Sequence, residues 1–425
     1  MNDIESSKNS YWSNVGLVLS GTLVAQAIPV LGSLVIARLF LPESFGEFAV
    51  WLSLVMLFSL IITGRYEMSL AIVEGSESKK IGVISIIILA FALSIPLFLI
   101  TLLFWSLFFS EDIKLIFLLL ILPASIAQAM INIWDFWAGA EGNFKKLNAI
   151  RIFQSSSILS CQILLGMINA SSMNLILGQL FGVVLTVVFC VFNMRISIQD
   201  FKINYSNNEI RKFYKKYKRF LIYTLPASTM NTLGVNIPVI LIAIRFGSEI
   251  AGFFALTIRV LGAPISVIGR SILDVFRKQA ASAYRKKGNC KSEYLQTFWA
   301  LSIFSVVISI VGLLFINDIF ILAFGDVWAT SGLIAVWLIP MFALRFIASP
   351  LSYIFFLTQK QNIDLIWQST LFISTIIAFT LFETYRDSIV SYSYFYSFLY
   401  IIYLFLSYKL SLGNKISSQN LDHDI

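Results

Sequence analysis

The hydrophobic positions of this chain fall in long runs rather than in alternation or in narrow amphipathic stripes, and each run is near the roughly 20 residues that cross a bilayer as a helix. Twelve such runs can be drawn, at roughly 15–40, 47–64, 81–107, 113–137, 150–168, 173–193, 219–246, 250–273, 294–316, 332–357, 364–382 and 389–410. The stretch from Gly21 to Glu67 shows the unit: two apolar runs joined by the short turn LPESFG, a transmembrane helical hairpin. Gln26 and Pro29 interrupt its first run, and Arg65, Tyr66 and Glu67 close its second. A related hairpin opens the second half. Setting Ala37–Val50 against Ala243–Leu256 without gaps pairs Ala37 with Ala243, Phe40 with Phe246, Glu43 with Glu249, Gly46 with Gly252, Phe48 with Phe254 and Ala49 with Ala255. The pattern predicts an all-α polytopic membrane protein of about 12 transmembrane helices in two six-helix lobes related by an internal repeat. The expected organisation is an N-terminal lobe over 1–194, a basic linker over 195–218, a C-terminal lobe over 219–410 and a tail over 411–425.

Composition agrees. At 58% hydrophobic and 13% charged residues, with a mean hydropathy of +0.83, the apolar surface exceeds what one water-soluble core can bury. The polar start MNDIESSKNSYWSN lacks the basic region, short apolar core and cleavage site of a secretory signal, so the first helix is expected to stay. Cys161 and Cys190 sit in apolar runs and Cys290 in a basic loop, which suggests neither a disulfide framework nor a metal site. The one histidine, His423, lies in the polar tail. No catalytic residue, metal ligand or cofactor is expected.

Charge sets orientation, because Lys and Arg beside spans are retained on the cytoplasmic side. With the amino terminus inside, most of the 31 Lys and Arg fall in inner segments, the densest being Arg195–Arg219 and Arg277–Lys291. Both termini are therefore expected in the cytoplasm. The segment Arg195–Lys218, ending in YSNNEIRKFYKKYKR, either rests on anionic headgroups or serves as a topological anchor alone. Basic loops are expected inside any such protein, so no nucleic-acid partner is implied.

Candidate chemistry lies where the apolar runs tolerate polar residues. In the eighth span Arg259, Ala263, Ser266, Arg270 and Asp274 follow steps of 4, 3, 4 and 4, placing the two arginines on one helical face about 16 Å apart. They suit a water-filled cavity, or Arg270 snorkels to the interface and pairs with Asp274. Gln128, Asn132 and Asp135 form a stripe in the fourth span, where Asp135 either carries a coupling proton or pairs with an arginine. Arg345 heads a face in the tenth span with Ser349 and Ser352; Thr22, Gln26 and Ser33 form one in the first; Thr224, Ser228 and Asn231 form one in the seventh. These uncharged stripes line a cavity or join helices by hydrogen bonds. Arg65 and Glu67 either face the transport path or anchor the inner interface, whereas Arg38 and Arg245 read more readily as outer anchors. Arg259, Arg270, Arg345 and Arg65 are thus the candidate substrate-binding cations. Gln26, Gln128, Asn132 and Asn231 are candidate polar cavity residues, with Asp135 and Glu67 as coupling candidates.

The opening GTLVAQAIPVLGSLVIARLFLPESFGEFAVW, the following GRYEMSLAIV and the inner loop WAGAEGNFKKLNAIR carry a resemblance to the polysaccharide transporter family of the multidrug/oligosaccharidyl-lipid/polysaccharide exporter superfamily, more closely to its O-antigen flippases of the Wzx type. The resemblance implies two six-helix bundles in a V around a central cavity, alternating access, and a substrate of sugars linked through pyrophosphate to undecaprenol. It also implies a place in the bacterial inner membrane in lipopolysaccharide biosynthesis, with a polysaccharide polymerase and a chain-length regulator as partners. Buried arginines agree in sign with an anionic pyrophosphate or acidic sugar. The expected role is a non-enzymatic flippase, with membrane lipids around it and a proton or sodium ion as coupling ion. Its rivals are a multidrug cation exporter, for which buried carboxylates should outnumber buried arginines; a membrane glycan polymerase, which needs a catalytic loop region; and a lipid II exporter, expected to be longer.

Overall fold

The computed structural model describes residues 2–108, 115–194, 206–358 and 360–413, with side chains except those of 2–19, 104–108, 115, 193–194, 266–267, 270–271, 274 and 361. The described residues contain helices and no strand. The helices are α1 (Asn2–Leu39), α2 (Pro42–Ile62), α3 (Ser76–Phe108), α4 (Leu115–Ala140), α5 (Phe144–Ile168), α6 (Ser172–Met194), α7 (Asn207–Arg219), α8 (Leu225–Phe246), α9 (Ser248–Pro264), α10 (Arg270–Lys287), α11 (Lys291–Phe324), α12 (Ala329–Leu351), α13 (Tyr353–Leu357), α14 (Gln361–Leu381) and α15 (Tyr385–Ser411). Among the described residues ten helical stretches are long and apolar enough to cross a bilayer. The two other expected spans, 150–168 and 250–273, are helical as well. They stand apart because α5 carries a polar face from Arg151 to Ser157 and α9 is only 17 residues long before a π turn at Ile265–Gly269.

The chain forms two compact units, Met1–Asn236 and Ile237–Ile425. In lipid no hydrophobic force drives helices together, so close backbone approach and interhelical hydrogen bonds must do it. The first unit uses both. Gly178 and Gly182, four apart on α6, lie so near α5 that a Cβ would stand 2.7 Å from the Cα of Gln162 and 2.4 Å from that of Ile158. Ser157 on α5 donates to the Gly182 carbonyl at 3.0 Å. Gly21 and Gly32 make room on α1 for the side chains of Asn148 and Leu159 of α5. Trp51 on α2 donates its indole N–H to the Phe117 carbonyl on α4 at 2.9 Å.

The described part of the expected linker is ordered structure. Ser206 caps α7 in a reciprocal capping box with Glu209, and the helix packs on the first unit through Phe213 and Tyr217, buried beside Tyr66, Leu70, Val83 and Ile86. Residues 195–205 and the tail from 414, with His423, lie outside the described residues. A π turn at Phe220–Thr224 joins α7 to α8.

In the second unit Thr257 on α9 donates to the Ser331 carbonyl at 2.9 Å and Ser331 to the Phe253 carbonyl at 3.1 Å, a reciprocal pair holding α9 to α12. Ser305 ties α11 to α12 through the Ala343 carbonyl at 2.9 Å. Arg245, at the end of α8, donates to the carbonyls of Phe379 and Phe382, satisfying acceptors that the end of α14 leaves open. Large apolar side chains such as Leu99 on α3, Leu314 and Leu322 on α11 and Phe398 on α15 are exposed, as a lipid-facing surface requires.

Candidate functional site

Helices of the first unit bring polar side chains together at two places. The first joins α1, α4 and α5. Arg151 on α5 holds Asp135 of α4 with two parallel bonds, Nε to Oδ1 at 3.0 Å and Nη2 to Oδ2 at 2.8 Å. Its remaining Nη1 donates to the Thr22 hydroxyl on α1 at 3.0 Å. One turn further along, Gln154 donates to Gln128 at 2.9 Å, and Gln128 to Asn132 at 3.1 Å. Gln26, one turn from Thr22, has a buried Oε1 without a hydrogen-bond partner among the described residues. The sequence offered a proton carrier or an arginine partner for Asp135; the geometry is the second, a bidentate pair with Arg151. Arg151 had been legible only as an inner-loop cation. The signal that it belongs to a site was its spacing from Gln154 and Ser155 on one helical face.

The second place is the turn after α2. Gly64 and Arg65 both take left-handed conformations, at φ 58° and 59°, and Arg65 is the one non-glycine residue with positive φ among the described residues. Such a backbone is unfavourable for a side chain with a Cβ and persists where surrounding contacts determine it. Those contacts are specific. Arg65 Nη1 meets Glu67 Oε1 at 3.1 Å, and Arg65 Nε donates to the Ser228 hydroxyl on α8 at 3.0 Å. Glu67 is 1% exposed, and its Oε2 is buried without a partner among the described residues. Burial pushes the Glu67 carboxyl above its ordinary range, while the Thr63 hydroxyl and the Arg65 charge pull the other way. Asn231, three residues past Ser228, is exposed on α8.

In the second unit Arg345 is half-buried on α12. Its guanidinium lies 5.8 Å from the centre of the Phe342 ring and close enough to act electrostatically on Tyr392, Tyr396 and Tyr400. These tyrosines repeat every four residues along one face of α15, with Tyr392 and Tyr396 ring centres 4.4 Å apart. Among the described residues no carboxylate lies within ion-pair distance of Arg345. Arg259 is half-buried on α9. The side chains of Ser266, Arg270 and Asp274 lie outside the described residues. The backbone between the two arginines holds a π turn at Ile265–Gly269. The sequence missed the tyrosine stripe, whose four-residue spacing reads equally as core. Among the described residues no group of three or more His, Cys, Asp or Glu could hold a metal ion.

Residues 35–332 match the model of a family described as polysaccharide biosynthesis protein. No curated protein sequence matches the chain. Solved structures share the fold. A multidrug resistance MATE family transporter of the MOP superfamily, inward-facing, aligns with a TM-score of 0.67 at 13% identity, over 91% of this chain and 94% of that one. The lipid II flippase MurJ, in an inward closed conformation, aligns at 0.71 and 14% over 92% and 87%. A MOP superfamily transporter from Pyrococcus furiosus, described as having a binding pocket of reversed polarity, aligns at 0.60 and 13% over 94% and 95%.

Proposed function

Because the chain belongs to the polysaccharide biosynthesis protein family, we propose that it is a flippase, moving undecaprenyl-pyrophosphate-linked O-antigen or related repeat units from the cytoplasmic to the periplasmic leaflet by alternating access. The observation that carries the reading is Arg345. A guanidinium beside the Phe342 ring and within electrostatic reach of Tyr392, Tyr396 and Tyr400, with no carboxylate within ion-pair distance among the described residues, is matched to an anion arriving from outside, and its planar fork suits a phosphate or carboxylate. Arg65, Arg259 and Arg270 are the further cations of the path. The amides of Gln26, Gln128, Asn132 and Asn231 offer neutral donors and acceptors to sugar hydroxyls. No bond is made or broken, so the site needs positioned charge and not a nucleophile.

If cation exchange makes the cycle directional, Glu67 is the better carrier of the two carboxylates. Asp135 is fixed by two bonds to Arg151, whereas Glu67 has one oxygen paired, one bare, and a burial that already favours its protonated form. The topology we propose puts both termini in the cytoplasm of a bacterium, in its inner membrane, with a polymerase and chain-length regulator acting on the product.

The test is a deletion strain complemented with wild type, Arg345→Gln or Arg345→Lys, followed by the amount of lipid-linked repeat unit on each leaflet. Deletion should trap the unit on the cytoplasmic side and remove surface glycan. Losing a charge-assisted bond of about 1.5–3 kcal/mol predicts that Arg345→Gln slows flipping about tenfold to a hundredfold, with Arg345→Lys between it and wild type. Surface glycan that persists in the deletion strain while drug tolerance falls would replace this reading with that of a drug exporter.

A further inference from the structure

The sequence of α7, NNEIRKFYKKYKR, separates exposed cations from buried aromatic residues along a helix that kinks at Tyr217, where φ is −103° and ψ 16°. Phe213 and Tyr217 are buried and Tyr214 is half-buried, its hydroxyl donating to the Ser85 carbonyl of α3. Arg211, Lys212, Lys215, Lys216, Lys218 and Arg219 are all exposed. The register of this packing fixes where the helix lies. A Cβ on Gly82 would touch the Phe213 ring at 3.0 Å, so Phe213 and Tyr214 stand beside Gly82 and Ser85, the first turns of the apolar run of α3. The helix therefore does not project into water. It packs on the start of the apolar run of α3, with its flexible cationic side chains on the exposed side.

A cavity of about 600 Å³ opens between α7 and the start of α3, lined among others by Lys212, Lys216, Glu74 and Glu209. Two carboxylates offset two lysines there, so the cavity has no net preference for an anion. The excess charge is outside the cavity, where Arg211, Lys215, Lys218 and Arg219 are exposed. Nearby Lys79 adds nothing to that excess, being held by Glu141 at 2.8 Å.

We infer that α7 is an interfacial helix whose cationic face binds the anionic phospholipid headgroups of the leaflet beside it. Charge complementarity and depth both select that partner: a diffuse row of lysines and arginines, without a pocket shaped for one molecule, is matched to a charged plane. The inference is independent of what the protein carries. Anchoring α7 also steadies the α2–α3 turn, since Tyr66 packs on Phe213 and Tyr214 with ring centres 6.0 and 5.5 Å away.

The test places the purified full chain in nanodiscs of phosphatidylcholine, alone or with one-third phosphatidylglycerol, and follows amide hydrogen exchange over 207–219. Phosphatidylglycerol should slow exchange there more than tenfold, with the effect lost in high salt, and should leave α5 and α6 unchanged. About fivefold per cation is available at a charged surface, so K212Q/K215Q/K216Q/K218Q should erase the difference. The wild-type comparison needs no variant and stands if the quadruple one misfolds. Equal exchange in both lipids would overturn the inference. So would protection by inorganic pyrophosphate in phosphatidylcholine discs without any from phosphatidylglycerol, which would make α7 a soluble-anion site.

Discussion

Glu67 shows how far a single residue departs from its sequence neighbourhood. At the end of an apolar run, beside an arginine, it reads as an ordinary interface charge; in the fold, at 1% exposure, it loses nearly all contact with water. Its raised folded-state pKa fixes a sign. The folded chain holds the Glu67 proton more tightly than the unfolded chain, so stability is full below the ordinary value of 4.5 and is lost as pH rises toward the raised one. Glu67→Gln, which keeps an acceptor for Arg65 and cannot ionise, should flatten that loss. Thermal melts of the purified protein between pH 4 and pH 8 check it, and a variant that keeps the wild-type slope would place the titration elsewhere. Transport driven by a proton gradient should lose its pH dependence in the same variant.

At the scale of helices, the α5–α6 contact depends on two absent side chains. Gly178 and Gly182 bring backbone against backbone, and the Ser157 hydroxyl bonds the Gly182 carbonyl across the gap. A leucine at 182 would collide with the Ile158 main chain, which has no flexible end to give way. Gly182→Leu should therefore destabilise the protein by about 1–3 kcal/mol, and Gly182→Ala should also destabilise it, to a smaller extent; midpoints of unfolding in mild detergent measure both. By contrast Gly139, which has no atom within 4 Å of a Cβ, should accept alanine with little effect. The π turns at Phe220–Thr224 and Ile265–Gly269 belong to this scale too. Each sets the phase between a basic segment and the adjoining apolar helix, and neither had a signature beyond nearby Pro226 and Pro264.

For the whole molecule, the basic segments give an expectation that geometry inside a unit cannot supply: which side each loop faces. In a cysteine-free background, a membrane-impermeant maleimide applied to intact cells should label cysteines placed at Asp326 and Glu383, and should miss those at Lys145 and Asn289. Labelling at 145 from outside would reverse the orientation. The fold class was legible because a bilayer allows few solutions. Every backbone polar group within it must be satisfied internally, so long apolar runs become helical, and among the described residues the expected spans lie on helical segments. Short turns and the residue pairing of Ala37–Val50 with Ala243–Leu256 carried the duplication, and the spacing of Gln128, Asn132 and Asp135 carried one polar stripe. Sequence alone could not choose partners across helices, because a polar residue in an apolar run announces only that it must be satisfied. Tertiary structure decided that Asp135 belongs to Arg151, that Arg65 reaches Ser228, that Arg345 comes within electrostatic reach of the α15 tyrosines, and that the basic linker includes a docked helix. These depend on distances between residues far apart in the chain, fixed by how whole helices pack, whereas the spans themselves follow from the local cost of placing each residue in lipid.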